Sequence, residues 1–158
     1  MQYRLRTLLI VLAIGPAFLW TAHRNLLPVS PAVTVKTPAE FHALMSSGSV
    51  IVHLDVDWST DAQASRLVIA SFRRRMASDS RCSTILFRRV DCTSNDTPLY
   101  RTTKGWLGGQ NANWIGLRGG YGALLWIKDG QLMDSLRCAA NENADELFAR
   151  TLTAFTTK

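Results

Sequence analysis

Val50-Ile51-Val52-His53-Leu54-Asp55-Val56-Asp57-Trp58-Ser59-Thr60-Asp61-Ala62 is the stretch whose reading decides the fold. Val50 to Val56 is rich in β-branched residues and predicts a central strand buried on both faces. Trp58 closes it. Ser59, Thr60 and Asp61 each carry an oxygen able to accept the unpaired N–H groups of a helix's first turn. They announce a helix over Ala62 to Ala77, with Ala64, Leu67, Val68, Phe72 and Met76 on its apolar stripe.

Upstream of this core, Val33 to Lys36 suits a short strand. Thr37, Pro38 and Glu40 then supply the N-cap, the preset first turn and the return partner of a capping box. Phe41, Leu44 and Met45 follow at helical spacing, and Gly48 is placed to end the helix. Downstream, Thr84 to Asp91 reads as the third strand and Pro98 to Lys104 as a short helix. Gly105 to Gly122 holds seven of the ten glycines together with Trp106, Trp114 and Tyr121 and reads as a long loop. Ala123 to Lys128, Asp129-Gly130 and Gln131 to Cys138 form a hairpin pattern with an Asp-Gly turn. Asn143 caps a last helix in which Leu147, Phe148, Leu152 and Phe155 share a face. The expected architecture is α/β, with a central mixed sheet of five strands flanked by helices.

The chain has 158 residues, 47% hydrophobic and 19% charged, enough for one domain with its own core and a short appendage. Three segments follow: 1–24 as a signal-anchor or signal peptide, 25–32 as a linker, and 33–158 as the folded domain. Arg4 and Arg6 precede the 16-residue apolar run Thr7 to Ala22, a predicted hydrophobic helix and the expected contact with the membrane through residues 7–22. Trp20 stands where a peptidase wants a small side chain, and Pro31 spoils a cut after Ser30, so an uncleaved anchor is favoured over a removed signal peptide. The basic flank would keep the N-terminus cytoplasmic and place the domain on the extracytoplasmic side; cleavage would make it secreted. The net charge of +6 falls to +3 from Val33 onward, with 15 basic and 12 acidic residues, and nucleic acid is not an expected partner.

A helix starting directly after an Asp-Trp at the end of the second strand, Ile85-Leu86-Phe87-Arg88-Arg89-Val90-Asp91 ending a strand in Asp, and Gly120-Tyr121-Gly122-Ala123-Leu124-Leu125-Trp126-Ile127-Lys128-Asp129-Gly130 together resemble the thioredoxin family. The resemblance implies a thioredoxin-like fold over most of the chain. It also sets the departures in register: Ser59-Thr60-Asp61-Ala62 stands where the family has Cys-Gly-Pro-Cys. His53 stands at the buried acid and Gly122 at the cis-proline, with an insertion preceding it. The resemblance therefore implies a member lacking the cysteine pair and the cis-proline, without dithiol exchange.

The remaining chemistry-bearing residues are sparse. Cys82, Cys92 and Cys138 are odd in number and form no C-x-x-C, which gives neither a disulfide framework nor zinc spacing. Cys82 and Cys92 bracket a strand that would hold them ~30 Å apart. A loose nucleophile set of Ser59, His53, Asp57 and Asp61 can be written down, but helix capping accounts for Ser59 to Asp61. His53 reads as a hydrogen-bonded core residue, and His23, His42 and His53 lie too far apart for a metal site by spacing. Arg73-Arg74-Arg75, with Arg81, Arg88 and Arg89, reads as a solvated face. Trp106 and Trp114 either plug the core or anchor a partner. The expectation is a binding or scaffold module with an unknown protein partner, without cofactor or metal, whose binding rim is Trp58, Thr60, Asp61, Trp106, Trp114 and Tyr121. The alternative is a single-cysteine thiol redox or peroxide-handling enzyme using Cys92 or Cys138.

Overall fold

The computed structural model describes residues 31–110, 122–137 and 142–156, all within the compact unit Pro31–Lys158. The predicted N-terminal hydrophobic helix lies outside the described residues.

The strand predicted over Val50 to Val56 is β2 (Ser49–Asp55), buried along nearly its whole length. It lies at the centre of a five-stranded sheet whose order is β1 (Val33–Val35), β3 (Leu86–Asp91), β2, β4 (Ala123–Lys128), β5 (Gln131–Arg137). β1 and β2 both run parallel to β3, with Thr34 and His53 each paired to Arg89. β4 runs antiparallel to β2, with His53 opposite Leu124. β5 returns antiparallel to β4, with an irregularity between Trp126 and Ile127. The sheet is mixed, as expected. The β4–β5 turn is made by Asp129 and Gly130, both at positive φ (50° and 78°), the backbone that a two-residue hairpin of this type requires.

Alternation along β2 sends its side chains to two cores. Val50, Val52, Leu54 and Val56 pack with Phe41, Leu44 and Met45 of α1 (Pro38–Met45) and with Leu99, Tyr100 and Leu107 of α3 (Pro98–Gly109). Ile51 packs on the opposite face with Leu124, Trp126, Ile69, Phe72 and Met76 of α2 (Thr60–Ala77), and Leu147, Phe148 and Ala154 of α4 (Ala144–Thr156). The Trp126 indole N–H donates to Thr151 Oγ1 at 2.8 Å, and that hydroxyl donates in turn to Leu147 O at 2.8 Å. A buried polar pair is thereby satisfied in the middle of an apolar layer.

The helix starts follow the caps. Thr37 Oγ1 accepts the Glu40 N–H at 3.1 Å, and Glu40 reaches back to the N–H of Lys36 at 2.8 Å, one residue before the cap. Ser59 caps α2, which therefore begins at Thr60, two residues before the predicted start. Asn143 caps α4 through Asp145 N–H to Oδ1 at 2.9 Å.

One expectation is corrected. Gly105, Gly108 and Gly109 do not open a loop; they complete α3, which runs to Gly109 instead of stopping near Lys104. Glycine in a helix interior costs about 1 kcal/mol against alanine. Leu99, Thr103 and Leu107 recur at four-residue spacing and are all buried, and their burial outweighs that cost. Trp106 packs edge-on against Phe41, ring centroids 5.9 Å apart.

Candidate functional site

The C-terminal end of β2 and the start of α2 bring three of the four substituted positions into one cluster. Ser59 is buried, in extended conformation, and its Oγ accepts the Ala62 N–H at 3.3 Å. It is engaged as the helix cap. Ala62, one turn into the helix, is fully buried. Gly122, which leads into β4, has φ +77°, and a Cβ placed there would lie 2.9 Å from Leu54 O, 3.7 Å from His53 Nε2 and 3.9 Å from Ala62 Cβ. His53, Ala62 and Gly122 therefore meet beneath the start of α2. The backbone of Gly122 is one that L side chains avoid, and the close Leu54 carbonyl leaves a side chain no room.

His53 is 4% exposed, and its Nε2 is a buried side-chain nitrogen with no hydrogen-bond partner. This corrects the expectation of a hydrogen-bonded core histidine. Burial pushes its pKa from 6.5 down to about 4, opposed by nearby Asp55 and assisted by the charges of Arg89, Arg66 and Arg73. The ring is neutral at pH 7. Its deprotonated form is an available base, but Ser59 Oγ already accepts from the helix, and no hydrogen bond joins it to His53 among the described residues.

Two residues on, and on the same face of β2, Asp55 is 2% exposed and sits between two arginines. Arg89 Nε donates to its Oδ2 at 2.7 Å, and Arg66 Nη2 and Nε donate to its Oδ1 at 3.2 and 3.3 Å. Arg66 also pairs with Asp57, and Arg89 Nη2 approaches the same carboxylate at 3.8 Å. This network was missed from sequence. The available signal was an acid in an apolar strand, which demands a buried cation partner, and Arg89 in the neighbouring strand supplies it through the β2–β3 register.

The predicted rim is brought together only in part. Trp58 is 63% exposed and Thr60 is exposed beside it. Trp106 packs on α3 against Phe41, and no contact joins it to Trp58 or Thr60 among the described residues. Gln110, just past α3, donates to Gly130 O at 3.5 Å and accepts the Leu132 N–H at 3.0 Å, which fixes that end of the helix at the β4–β5 turn. Gly130 adjoins Lys128, which pairs with Ser49 at the beginning of β2. Ser59 follows the other end, a strand of seven residues away, or about 20 Å. Trp114, Tyr121 and the Asp61 side chain lie outside the described residues.

Cys82 and Cys92 are free thiols and buried. Burial pushes the Cys92 thiol up to about 12, aided by the charges of Asp91 and Asp55, and also raises Cys82. A thiolate is disfavoured at both. Cys138 lies outside the described residues. Among the described residues no group of three or more His, Cys, Asp or Glu is placed to hold a metal ion, and no helix is long and apolar enough to cross a membrane.

A sheet ordered β1-β3-β2-β4-β5 with helices on both faces, and a helix springing from the end of its central strand, defines a class of α/β domain. Comparison with solved structures names that class: the chain has the thioredoxin fold. It is similar to a mutant thioredoxin from Halobacterium salinarum (TM-score 0.52, 13% identity, 80% of this chain and 93% of that one). It is also similar to the thioredoxin of Malassezia sympodialis (0.52, 15%, 83% and 96%) and to one from Arabidopsis thaliana (0.52, 15%, 80% and 96%). Identities this low carry the fold and not the chemistry. No family model matches the sequence, and no curated protein does.

Proposed function

We propose that the chain is a thioredoxin-fold domain without dithiol redox activity, tethered to a membrane or secreted on the extracytoplasmic side, that works as a protein-binding or scaffold module. The observation that carries the reading is the occupancy of the two positions that dithiol exchange would use. Ser59 Oγ is committed to capping α2, and Ala62 is a buried methyl. Neither can form or break an S–S bond. The raised pKa values of Cys82 and Cys92 further favour binding over a single-cysteine enzyme. Trp58, a large ring left 63% exposed at the mouth of the substituted site, supports a protein partner, since exposed aromatics beside buried structure are frequent interface anchors. The membrane tether rests on the basic residues and apolar run of residues 1–24.

The test is insulin reduction by the full-length chain with a thioredoxin reductase and NADPH, free of contaminating oxidoreductases. No turnover is expected. Turnover that survives purification and is abolished by Cys92→Ser or Cys138→Ser would replace the binding reading with the single-cysteine one.

A further inference from the structure

The buried residues of α2, Ala62, Ser65, Ile69, Phe72 and Met76, leave the opposite face of the helix to solvent. At about 100° per residue, Thr60, Leu67 and Arg74 fall close to one line on that outer face, with Gln63, Ala64 and Ser71 within about 60° of it. Thr60, Gln63 and Ala64 are exposed, and Leu67 is 77% exposed. We propose that the protein partner of this module is a second copy of the chain, docked two-fold through the outer face of α2 with the helices antiparallel and Leu67 on the axis. This names the partner in the binding reading and rests on that reading.

A single exposed leucine is ordinary on a protein surface. Two features set this face apart. In a chain with 19% charged residues, the six outer positions carry one charge, Arg74, whose Nη2 donates to Ser71 Oγ at 3.1 Å. The core of an interface is depleted of charge in the same way. Charge gathers instead toward the two ends of the helix, with opposite sign. Segment 57–61 holds Asp57 and Asp61 and no base, and segment 73–77 holds Arg73, Arg74 and Arg75 and no acid. Asp57 pairs with Arg66 and Arg89, which also hold Asp55, and Arg75 pairs with Asp145. With those partners included, three acids stand against two bases at the first end and three bases against one acid at the second, so the contrast of sign survives.

The pattern is its own complement. A two-fold axis at Leu67 sets the leucine against itself, Gln63 opposite Ser71, Ala64 opposite Ala70 and Thr60 opposite Arg74. It also lays segment 57–61 of each copy along segment 73–77 of the other. Parallel helices would instead bring like ends together. The antiparallel order sets the two macrodipoles head to tail, which is the favourable arrangement. Trp58, 63% exposed, comes against the basic last turn of the second helix, where an arginine over an indole ring gains a cation–π contact. The Leu67 pair supplies the apolar centre of the contact, and Thr60, Gln63 and Ser71 supply its polar rim.

The experiment is sedimentation equilibrium of the full-length chain in density-matched detergent micelles. A monomer–dimer equilibrium is expected, with the dimer populated at about 100 µM chain. Leu67→Lys and Leu67→Glu each set like charges face to face at the axis and should weaken the dimer by about tenfold or more, and an equal mixture of the two should recover it. Leu67 is too exposed to carry the core, and near-ultraviolet circular dichroism of the buried Trp126 checks that each variant is folded. Oxidation reads the direction of the helices. Cys82 and Cys92 are buried, so in a Cys138→Ser background Gln63→Cys and Ser71→Cys chains should form a disulfide with each other when mixed and not when alone. A monomeric wild type, a dimer that survives both Leu67→Lys and Leu67→Glu, a mixture of those two that stays monomeric, or Gln63→Cys that cross-links to itself overturns the proposal. A monomeric wild type that also fails to turn over insulin removes the second copy as the partner and leaves the non-redox reading standing, so the two fail separately.

Discussion

His53 makes the stability of this domain depend on pH in a window where few other groups titrate. Burial holds its pKa at about 4 against an ordinary 6.5, so the folded state resists protonation and the unfolded state does not. For a group whose folded value is depressed, the contribution is fully present above the unfolded value and is lost as the pH falls from 6.5 toward about 4. At ~1.4 kcal/mol per pH unit the whole loss is about 3 kcal/mol, of which ~2 kcal/mol is gone by about pH 5. That is a large fraction of a typical domain's 5–15 kcal/mol, roughly speaking. Asp91 and Asp134 are held below the ordinary carboxylate range, Asp134 by Arg150, so their losses come at lower pH and do not mimic the effect. The assay is urea unfolding of the chain from Pro31, followed by tryptophan fluorescence, from about pH 7.5 to about pH 4.5. His53→Leu should be at least as stable as the wild type near neutrality, because it removes a buried nitrogen that has no partner, and should lose the slope. A wild type with a flat profile over this window refutes the reasoning, as does a His53→Leu variant that keeps the slope.

Two further outcomes follow from the packing. Thr151→Val strands the Trp126 indole N–H in a fully buried layer and should lower stability by about 1–3 kcal/mol, read as a shift of the urea midpoint at constant slope; an unchanged midpoint would mean that the bond at 2.8 Å contributes nothing net. Gly122→Ala places a methyl 2.9 Å from Leu54 O at φ +77° and should lower stability by ~2–4 kcal/mol, and a midpoint within error of wild type would show that the backbone there relaxes freely.

What was legible in the sequence divides along a physical line. The order of elements, the central strand, the caps at Thr37 and Asn143 and the Asp129-Gly130 hairpin were legible because each is a local pattern of residue types set by backbone geometry, whereas Ser59, Thr60 and Asp61 were equal candidates for the cap of α2 until the structure chose Ser59. The second half of α3 was not, because three glycines argue against a helix locally while Leu99, Thr103 and Leu107 argue for it only once a core exists to bury them. The setting of Trp106 was not legible for the same reason: it lies on α3 against Phe41, where the glycines suggested a loop. The Asp55, Arg66 and Arg89 network depends on register and on which face of α2 looks inward, quantities that a linear reading does not hold.

The same limit bears on how the substitutions at the thioredoxin-like site are weighed. In sequence, Ser59, Ala62, His53 and Gly122 count as four separate departures, and four losses in register weigh heavily against dithiol exchange. In space three of them, His53, Ala62 and Gly122, are not separate. A side chain at Gly122 would touch both His53 Nε2 and Ala62, entering the space beside both the imidazole and the alanine methyl. His53, Ala62 and Gly122 therefore share one packing environment and weigh together, whereas Ser59, which engages only the backbone N–H of residue 62, is a separate departure. The stronger reason for reading the site as non-redox is chemical: Ser59 already has a structural partner, and the position one turn later carries no atom that could leave or attack.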